Sequence, residues 1–235
     1  MTYREHRAPA SLAPWLACTW ERCDGGGDPV RVVPDGCIDI VWTEGGATHV
    51  VGPNTSAFLV ALDAGVRVVG ARLRPGAAPA LLGVDAVALC DGRVAIEAVW
   101  HDDGRRLAQR LDDAGAGADR CGLLVAALSA RARQSAAPDP LVRAAVDGLG
   151  APHARVEALA RDLGVSARQL RRRVEAAVGY GPKQLARVLR LQRALAAARA
   201  GEELAAVAAG AGYADQAHFA HECRALAGVA ATALR

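Results

Sequence analysis

The carboxy-terminal 98 residues carry one short pattern twice, and this repeat restricts the possible folds more than any other feature of the chain. "VEALARDLGVSARQLRRRVEAAVG" (156–179) and "ELAAVAAGAGYADQAHFAHECRALAG" (203–228) each read as two helices joined by a tight turn. A longer helical stretch, Pro182 to Arg199, separates them. Breaks at Gly148 to Pro152, Gly164, Gly179 to Pro182, Gly201, Gly210 to Gly212 and Gly228 give six or seven helices in this half, because glycine and proline punctuate helical patterns.

Charge separates the two halves. Residues 1–137 hold 14 basic and 16 acidic residues, and residues 138–235 hold 14 and 9. From Arg155 to Arg199 eleven Lys/Arg face only Glu157, Asp162 and Glu175, a local excess of +8 that points to a polyanionic partner.

In the first unit Ser166 and Gln169 form an S-x-x-Q capping box at a helix start. Leu170, Val174 and Ala177 then share one face, which leaves Arg168, Arg171, Arg172 and Glu175 on the other. A solvated face usually mixes charges, whereas these first two turns carry only positive ones. Arginine at the start of such a helix can bond guanine O6 and N7 in a fork, so Arg168, Arg171 and Arg172 are the base-reading candidates. Arg173 lies nearer the buried side and is assigned to phosphate. In the second unit Asp215 caps a helix with Phe219, Cys223 and Leu226 inward and Gln216, Ala217, Ala220 and His221 outward. Glutamine can pair with adenine and alanine can touch a thymine methyl, which makes those four the second base-reading set. Lys183, Arg187, Arg190 and His218 are phosphate candidates, and His218 could equally partner Asp215. The 18-residue connecting helix spans about 27 Å, somewhat under the ~34 Å repeat of B-DNA, so two reading helices at its ends reach successive major grooves with modest bending.

The first 90 residues instead show short runs rich in Val, Ile, Thr and Trp: "CTWER", "PVRVV", "CIDIVW", "THVVG" and "VRVVGARL". "DGGGDP" (24–29), "PDG" (34–36), "EGG" (44–46) and "DAG" (63–65) supply turns, and the sum predicts a small barrel or sandwich. "AIEAVW", "GRRLAQRLDDA" and "RCGLLVAALSARARQ" predict helices covering one side. "QSAAPDP" (134–140) marks the boundary, with Asp139-Pro140 set as an N-cap and N1 proline. The expected domains are 1–135 and 138–235, the latter with its units at about 155–178 and 203–227 and a linker helix at about 182–199.

Neither an apolar run of 18 residues nor a signal-peptide core is present, so the cytoplasm is expected and no membrane association. Six cysteines with no C-x-x-C pair read as reduced thiols, with no metal or other cofactor expected.

The ordered set "LARDLGVSARQLRRRVEAAVGYGPKQLARVLRLQRAL" and "LAAVAAGAGYADQAHFAHECRALAG" resembles the AraC/XylS family of transcriptional regulators over roughly Pro138 to Arg235. Gly179-Tyr180-Gly181-Pro182 and Gly210-Ala211-Gly212-Tyr213 stand where the family has its two post-helix signatures. The resemblance implies an α+β two-domain protein: two helix-turn-helix subdomains joined by a helix and bound to promoter DNA, with the base-facing positions falling on the two sets named above. It departs at Val174 and Cys223, where aromatics are usual, at His221, where an arginine is common, and in the tail at Ala230, Ala231 and Leu234. These departures predict a looser second core and asymmetric recognition. "VPDGCIDIVW" and "VVGARLRPGAAPALLGV" resemble a β-rich sensor region, which implies a cupin-like barrel that binds an effector or forms a homodimer. A ligand pocket in the barrel interior could use Trp20, Trp42, Arg72 or Cys37, but tryptophans in a β domain are more often core residues, Asp35 and Asp39 read as turn and strand-end residues, and no effector-binding residue is assigned. With His6, His49 and His101 but no H-x-H, that half does not suggest a metal enzyme. The competing readings are a DNA alkylation-repair protein with a reactive cysteine, and a ligand-binding module whose helical half binds another protein.

Overall fold

The computed structural model describes residues 2–23 and 29–234; the predicted turn at 24–29 lies outside them except for Pro29. The amino-terminal region contains β1 (Thr2–Arg7), β2 (Leu16–Cys23), β3 (Val30–Val32), β4 (Ile38–Thr43), β5 (His49–Val51), β6 (Phe58–Val60), β7 (Arg67–Leu73) and β8 (Arg93–Ala95). Helices α1 (Ala78–Leu82), α2 (Ile96–Asp113) and α3 (Arg120–Ala132) follow or interrupt them. Helix α2 joins the two segments expected separately, with a break at His101, whose φ of 49° is not helical.

Six strands form an antiparallel sheet in the order β1-β2-β7-β4-β5-β8, and β3 pairs with β6 alone. Where the sequence predicts a small barrel or sandwich, the structure has an open sheet with a separate two-stranded ribbon. A closed barrel needs every strand bonded on both sides. Here β3 and β6 are three residues each and satisfy only one another, so β1 and β8 stay unjoined among the described residues.

Alternation sets the two faces of the sheet. Ile38, Ile40 and Trp42 of β4 and Val69, Ala71 and Leu73 of β7 point into one core, closed by Ile96, Trp100, Leu107 and Leu111 of α2 and Leu124 and Leu128 of α3. Trp42 belongs to this core, not to a pocket wall: it is 2% exposed, its indole N–H donates to Asp112 Oδ1 at 2.6 Å, and the Arg120 guanidinium stacks 4.2 Å from its ring centre. Arg120 in turn donates to the carbonyls of Leu111, Ala114 and Gly115 at the end of α2, which explains how a buried arginine is tolerated.

The opposite face carries Trp20, Arg72 and Asp39 side by side. The Trp20 ring covers Gly70 so closely that a Cβ there would lie 2.3 Å from it. Arg72 Nε lies 3.4 Å from Asp39 and 3.6 Å from Asp35, and Trp20 Nε1 donates to Asp39 at 3.3 Å. Asp35 and Asp39 are thus more than turn residues, since together they hold a half-buried arginine. Burial pushes the Asp39 carboxyl up to about 6, Arg72 opposes this and Asp35 adds to it.

The carboxy-terminal region is helical: α4 (Pro140–Leu149), α5 (Val156–Asp162), α6 (Ala167–Val178), α7 (Pro182–Arg199), α8 (Leu204–Ala211) and α9 (Gln216–Ala227). Asp139 caps α4 by accepting from Leu141 N–H at 2.9 Å, with Pro140 at N1. Two cores form along α7. Leu185 and Val188 pack with Ala145, Leu149, Leu170, Val174 and Val178, and Leu191, Ala194 and Leu195 pack with Val207, Tyr213, Phe219, Cys223 and Leu226. One helix thereby supports both units. No helix among the described residues is long and apolar enough to cross a membrane.

Candidate nucleic-acid interface

Helix α6 starts as its sequence dictates. Ser166 Oγ accepts from Gln169 N–H at 3.2 Å, and Gln169 Oε1 accepts from Ser166 N–H at 2.9 Å, so two orphan amides are satisfied reciprocally. Leu170, Val174 and Val178 are buried, and Val178 takes the inward place that the spacing gave to Ala177. With that face fixed, Arg168, Arg171 and Arg172 emerge on the exposed side of the first two turns. Arg168 and Arg172 have no acidic partner among the described residues, and Arg171 Nε lies 3.5 Å from Glu175 in an exposed i,i+4 pair of little strength. Arg173 is set apart by its contact with Asp139 at 3.4 Å, which ties α6 to the start of α4.

Helix α6 ends at Gly179, with φ of 96°, against the amino-terminal region. A Cβ there would lie 2.7 Å from Pro53 and 3.0 Å from the Ala86 carbonyl oxygen, so both the left-handed turn and the close approach demand glycine.

In the second unit Asp215 Oδ1 accepts from His218 N–H at 2.7 Å and starts α9. Phe219, Cys223 and Leu226 are buried, while Gln216, Ala217 and His221 are exposed and Ala220 partly so. Tyr213 fills the core beside Phe219 at 5.0 Å, supplying aromatic bulk next to the small Cys223. His218 is part of the turn: Nδ1 accepts from Ala214 N–H at 3.4 Å, and its ring meets Tyr213 edge-on.

Two of the five phosphate candidates, Arg187 and Arg190, face inward. Arg187 donates through Nε and Nη2 to Glu222 at 3.2 and 2.9 Å, and through Nη1 to Gln184 at 2.8 Å. Arg190 lies 3.6 Å from Glu222 and stacks 4.7 Å from the centre of Tyr213. Glu222 is 5% exposed. Burial alone would raise its pKa, but the hydrogen bonds and charge of Arg187, with Arg190 and His218, hold it below the usual carboxylate value. Sequence reasoning missed Glu222. The signal was its place on the Phe219, Cys223, Leu226 stripe, where an acid requires a buried cation. Lys183 remains exposed.

Five of the six thiols are buried or partly buried, and Cys23 is exposed. Burial pushes Cys18 and Cys223 up to about 11, and Cys37, Cys90 and Cys121 are also raised, chiefly by burial. No cluster of three or more metal-ligating side chains occurs among the described residues.

Two capped helices on one supporting helix, beside a β-rich domain, define a class: a two-domain protein whose carboxy-terminal part is a helix-turn-helix domain. Residues 159–235 match a family described as a helix-turn-helix domain, and residues 4–95 match a domain of unknown function, DUF6597. Among solved structures, an apo ToxT variant from Vibrio cholerae strain SCE256 has a TM-score of 0.51 at 12% identity, covering 92% of this chain and 96% of that one. At that identity the likeness concerns the fold alone. Another ToxT structure from Vibrio cholerae gives a TM-score of 0.48 at 11% identity over 100% of this chain and 98% of that one. The C-terminal domain of AraT, a response regulator from Geobacillus stearothermophilus, gives 0.39 at 22% identity over 41% of this chain and 84% of that one. No curated protein matches the chain.

Proposed function

We propose that this chain is a sequence-specific regulator of transcription that binds double-stranded promoter DNA through α6 and α9, without catalysing a reaction. The observation that carries the reading is the row of Arg168, Arg171 and Arg172 on the exposed side of a capped helix whose other side is locked into a core. Arginines so placed enter a major groove with little rearrangement, and the helix N-terminus adds favourable potential toward phosphate. Gln216, Ala217, Ala220 and His221 read a second block, and Lys183 contributes a phosphate contact. Arg173 reaches phosphate only by leaving Asp139. The amino-terminal domain modulates this activity through an effector or a homodimer contact. The cytoplasm is the matching compartment.

Selection of bound duplexes from a random DNA pool at stated salt tests the reading and site length together. Two recognition blocks about one helical turn apart are expected. Absence of duplex binding at low salt overturns it.

A further inference from the structure

A continuous hydrogen-bonded path leads from the amino-terminal region to the middle of α9. Asp91 accepts from the Thr55 N–H and the Thr55 hydroxyl, both at 2.7 Å, which fixes the loop between β5 and β6. The Thr55 carbonyl accepts from Gln184 Nε2 at 3.2 Å, and Gln184 Oε1 accepts from Arg187 Nη1 at 2.8 Å. Arg187 then forks onto Glu222. Each link joins a donor to an acceptor, and the Gln184 amide is oriented by having both of its ends engaged.

The same loop reaches the far end of α9. Ala57 N–H donates to the Leu226 carbonyl at 2.7 Å, and Arg31 of β3 donates to the Ala227 carbonyl at 3.1 Å. These contacts satisfy carbonyls that a helix end leaves unpaired, and the arginine complements the negative end of the helix dipole. Helix α9 is therefore linked to the amino-terminal region at two points, directly at its end and through Gln184 and Arg187 of α7 at its middle.

We propose that Gln184, Arg187 and Glu222 are positioning residues that fix the angle of α9 relative to α6, and that the loop around Thr55 is the element through which the amino-terminal domain controls the second recognition block. This rests on the DNA-binding reading. It assigns Arg187 and Arg190 to internal pairing with Glu222 rather than to phosphate.

The full chain is compared with its Gln184→Ala, Arg187→Gln and Glu222→Gln variants. Without DNA, amide hydrogen exchange across residues 216–227 is expected to quicken about five- to tenfold in each variant, as loss of one ordinary hydrogen bond would produce. With DNA, Glu222→Gln and Arg187→Gln are expected to weaken binding about tenfold to a duplex carrying both selected blocks. Binding to a duplex carrying the first block alone changes less than about twofold, and the dependence on salt keeps its slope. A slope lower by about one in Arg187→Gln marks a phosphate contact and overturns the proposal, as does unchanged exchange in α9. If the unaltered chain binds no duplex, the DNA reading falls, and the exchange measurement alone decides whether the path positions α9.

Discussion

The two helix-turn-helix units use basic residues in opposite ways. On α6, Arg168 and Arg172 project outward with no acidic partner among the described residues, and Arg171 meets only an exposed Glu175. At α9, the nearby arginines of α7 turn inward onto the buried Glu222, and the exposed side offers glutamine, alanine and histidine. A local surplus of +8 in the sequence thus overstates the charge available to a polyanion, because Arg187 and Arg190 already pair with the buried Glu222 and Arg173 meets Asp139 at the surface. On the proposed DNA-binding reading, the first unit supplies affinity and the second orientation.

The largest test of this contrast removes the outward arginines. Arg168, Arg171 and Arg172 changed together to alanine should weaken binding to a selected duplex by about a thousandfold or more, at ~1–3 kcal/mol for each lost base contact. Gln216→Ala with His221→Ala should cost about tenfold and relax sequence preference in the second block only. Equilibrium titrations at one salt concentration, with each block scrambled in turn, measure both. Equal losses from the two sets would break the contrast.

The asymmetry also predicts a response to acid. Glu222 has a folded-state pKa below its unfolded value, so its contribution to stability is present above about 4.5 and is lost as the pH falls through the lower, folded value. Asp39 has the opposite sign. With its carboxyl raised to about 6, its contribution is full below the unfolded value of 3.8 and is lost as the pH rises through about 6. Lowering the pH from 7 to 5 should therefore favour the sheet region while leaving α9 in place, and further acidification should loosen α9. Amide resonances of residues 216–227 and 35–42 followed through the titration report the two regions separately. Glu222→Gln should flatten the acid limb at α9 and Asp39→Asn the limb in the sheet.

The helical half was legible because its signals are local. Ser166 and Gln169 sit three apart, Leu170 and Val174 four apart, and Asp139-Pro140 and Asp215 mark helix starts, so caps and one buried face follow from spacing alone. The sheet was less legible. Strand β1 is polar and exposed along its whole length, so "TYREHR" has no apolar alternation, and its pairing with β2 depends on a register that spacing does not reveal. Strands β6 and β8 are three residues each, below the length at which a pattern can be recognised. Strand number predicts a small barrel or sandwich, but closure is decided by which edges meet. At the interface, Arg168, Arg171 and Arg172 lay on the face their helix period predicted. The inward turn of Arg187 and Arg190 depends on Glu222, about 35 residues away along the chain, and charge counting has no means of pairing them.

Helix caps give a smaller effect, of similar size in the two units. Ser166→Ala and Asp215→Ala should each lower stability by about 1 kcal/mol, since each removes an acceptor from an N-terminal amide. The consequences for DNA should differ. Fraying the start of α6 disturbs the turn that carries Arg168, whereas the start of α9 carries Gln216 and Ala217, whose contacts are weaker. Thermal unfolding should therefore give similar shifts for the two variants, and titration with a selected duplex a larger loss for Ser166→Ala.

The smallest effect concerns Glu175, the one acidic residue on the outward side of α6. Its contact with Arg171 at 3.5 Å is exposed, and such i,i+4 pairs contribute about 0.3–0.5 kcal/mol, so Glu175→Gln should barely change stability. Its carboxylate nevertheless stands beside the surface assigned to DNA, where it repels phosphate and competes for the Arg171 guanidinium. Removing the charge should tighten duplex binding about two- to threefold at low salt, and the gain should shrink as salt screens exposed charges beyond a Debye length of about 8 Å at physiological ionic strength. Titrations at two salt concentrations distinguish this from a packing effect, which salt leaves unchanged. A gain independent of salt would mean that Glu175 constrains the helix rather than its charge, and would place Arg171 outside the reading surface.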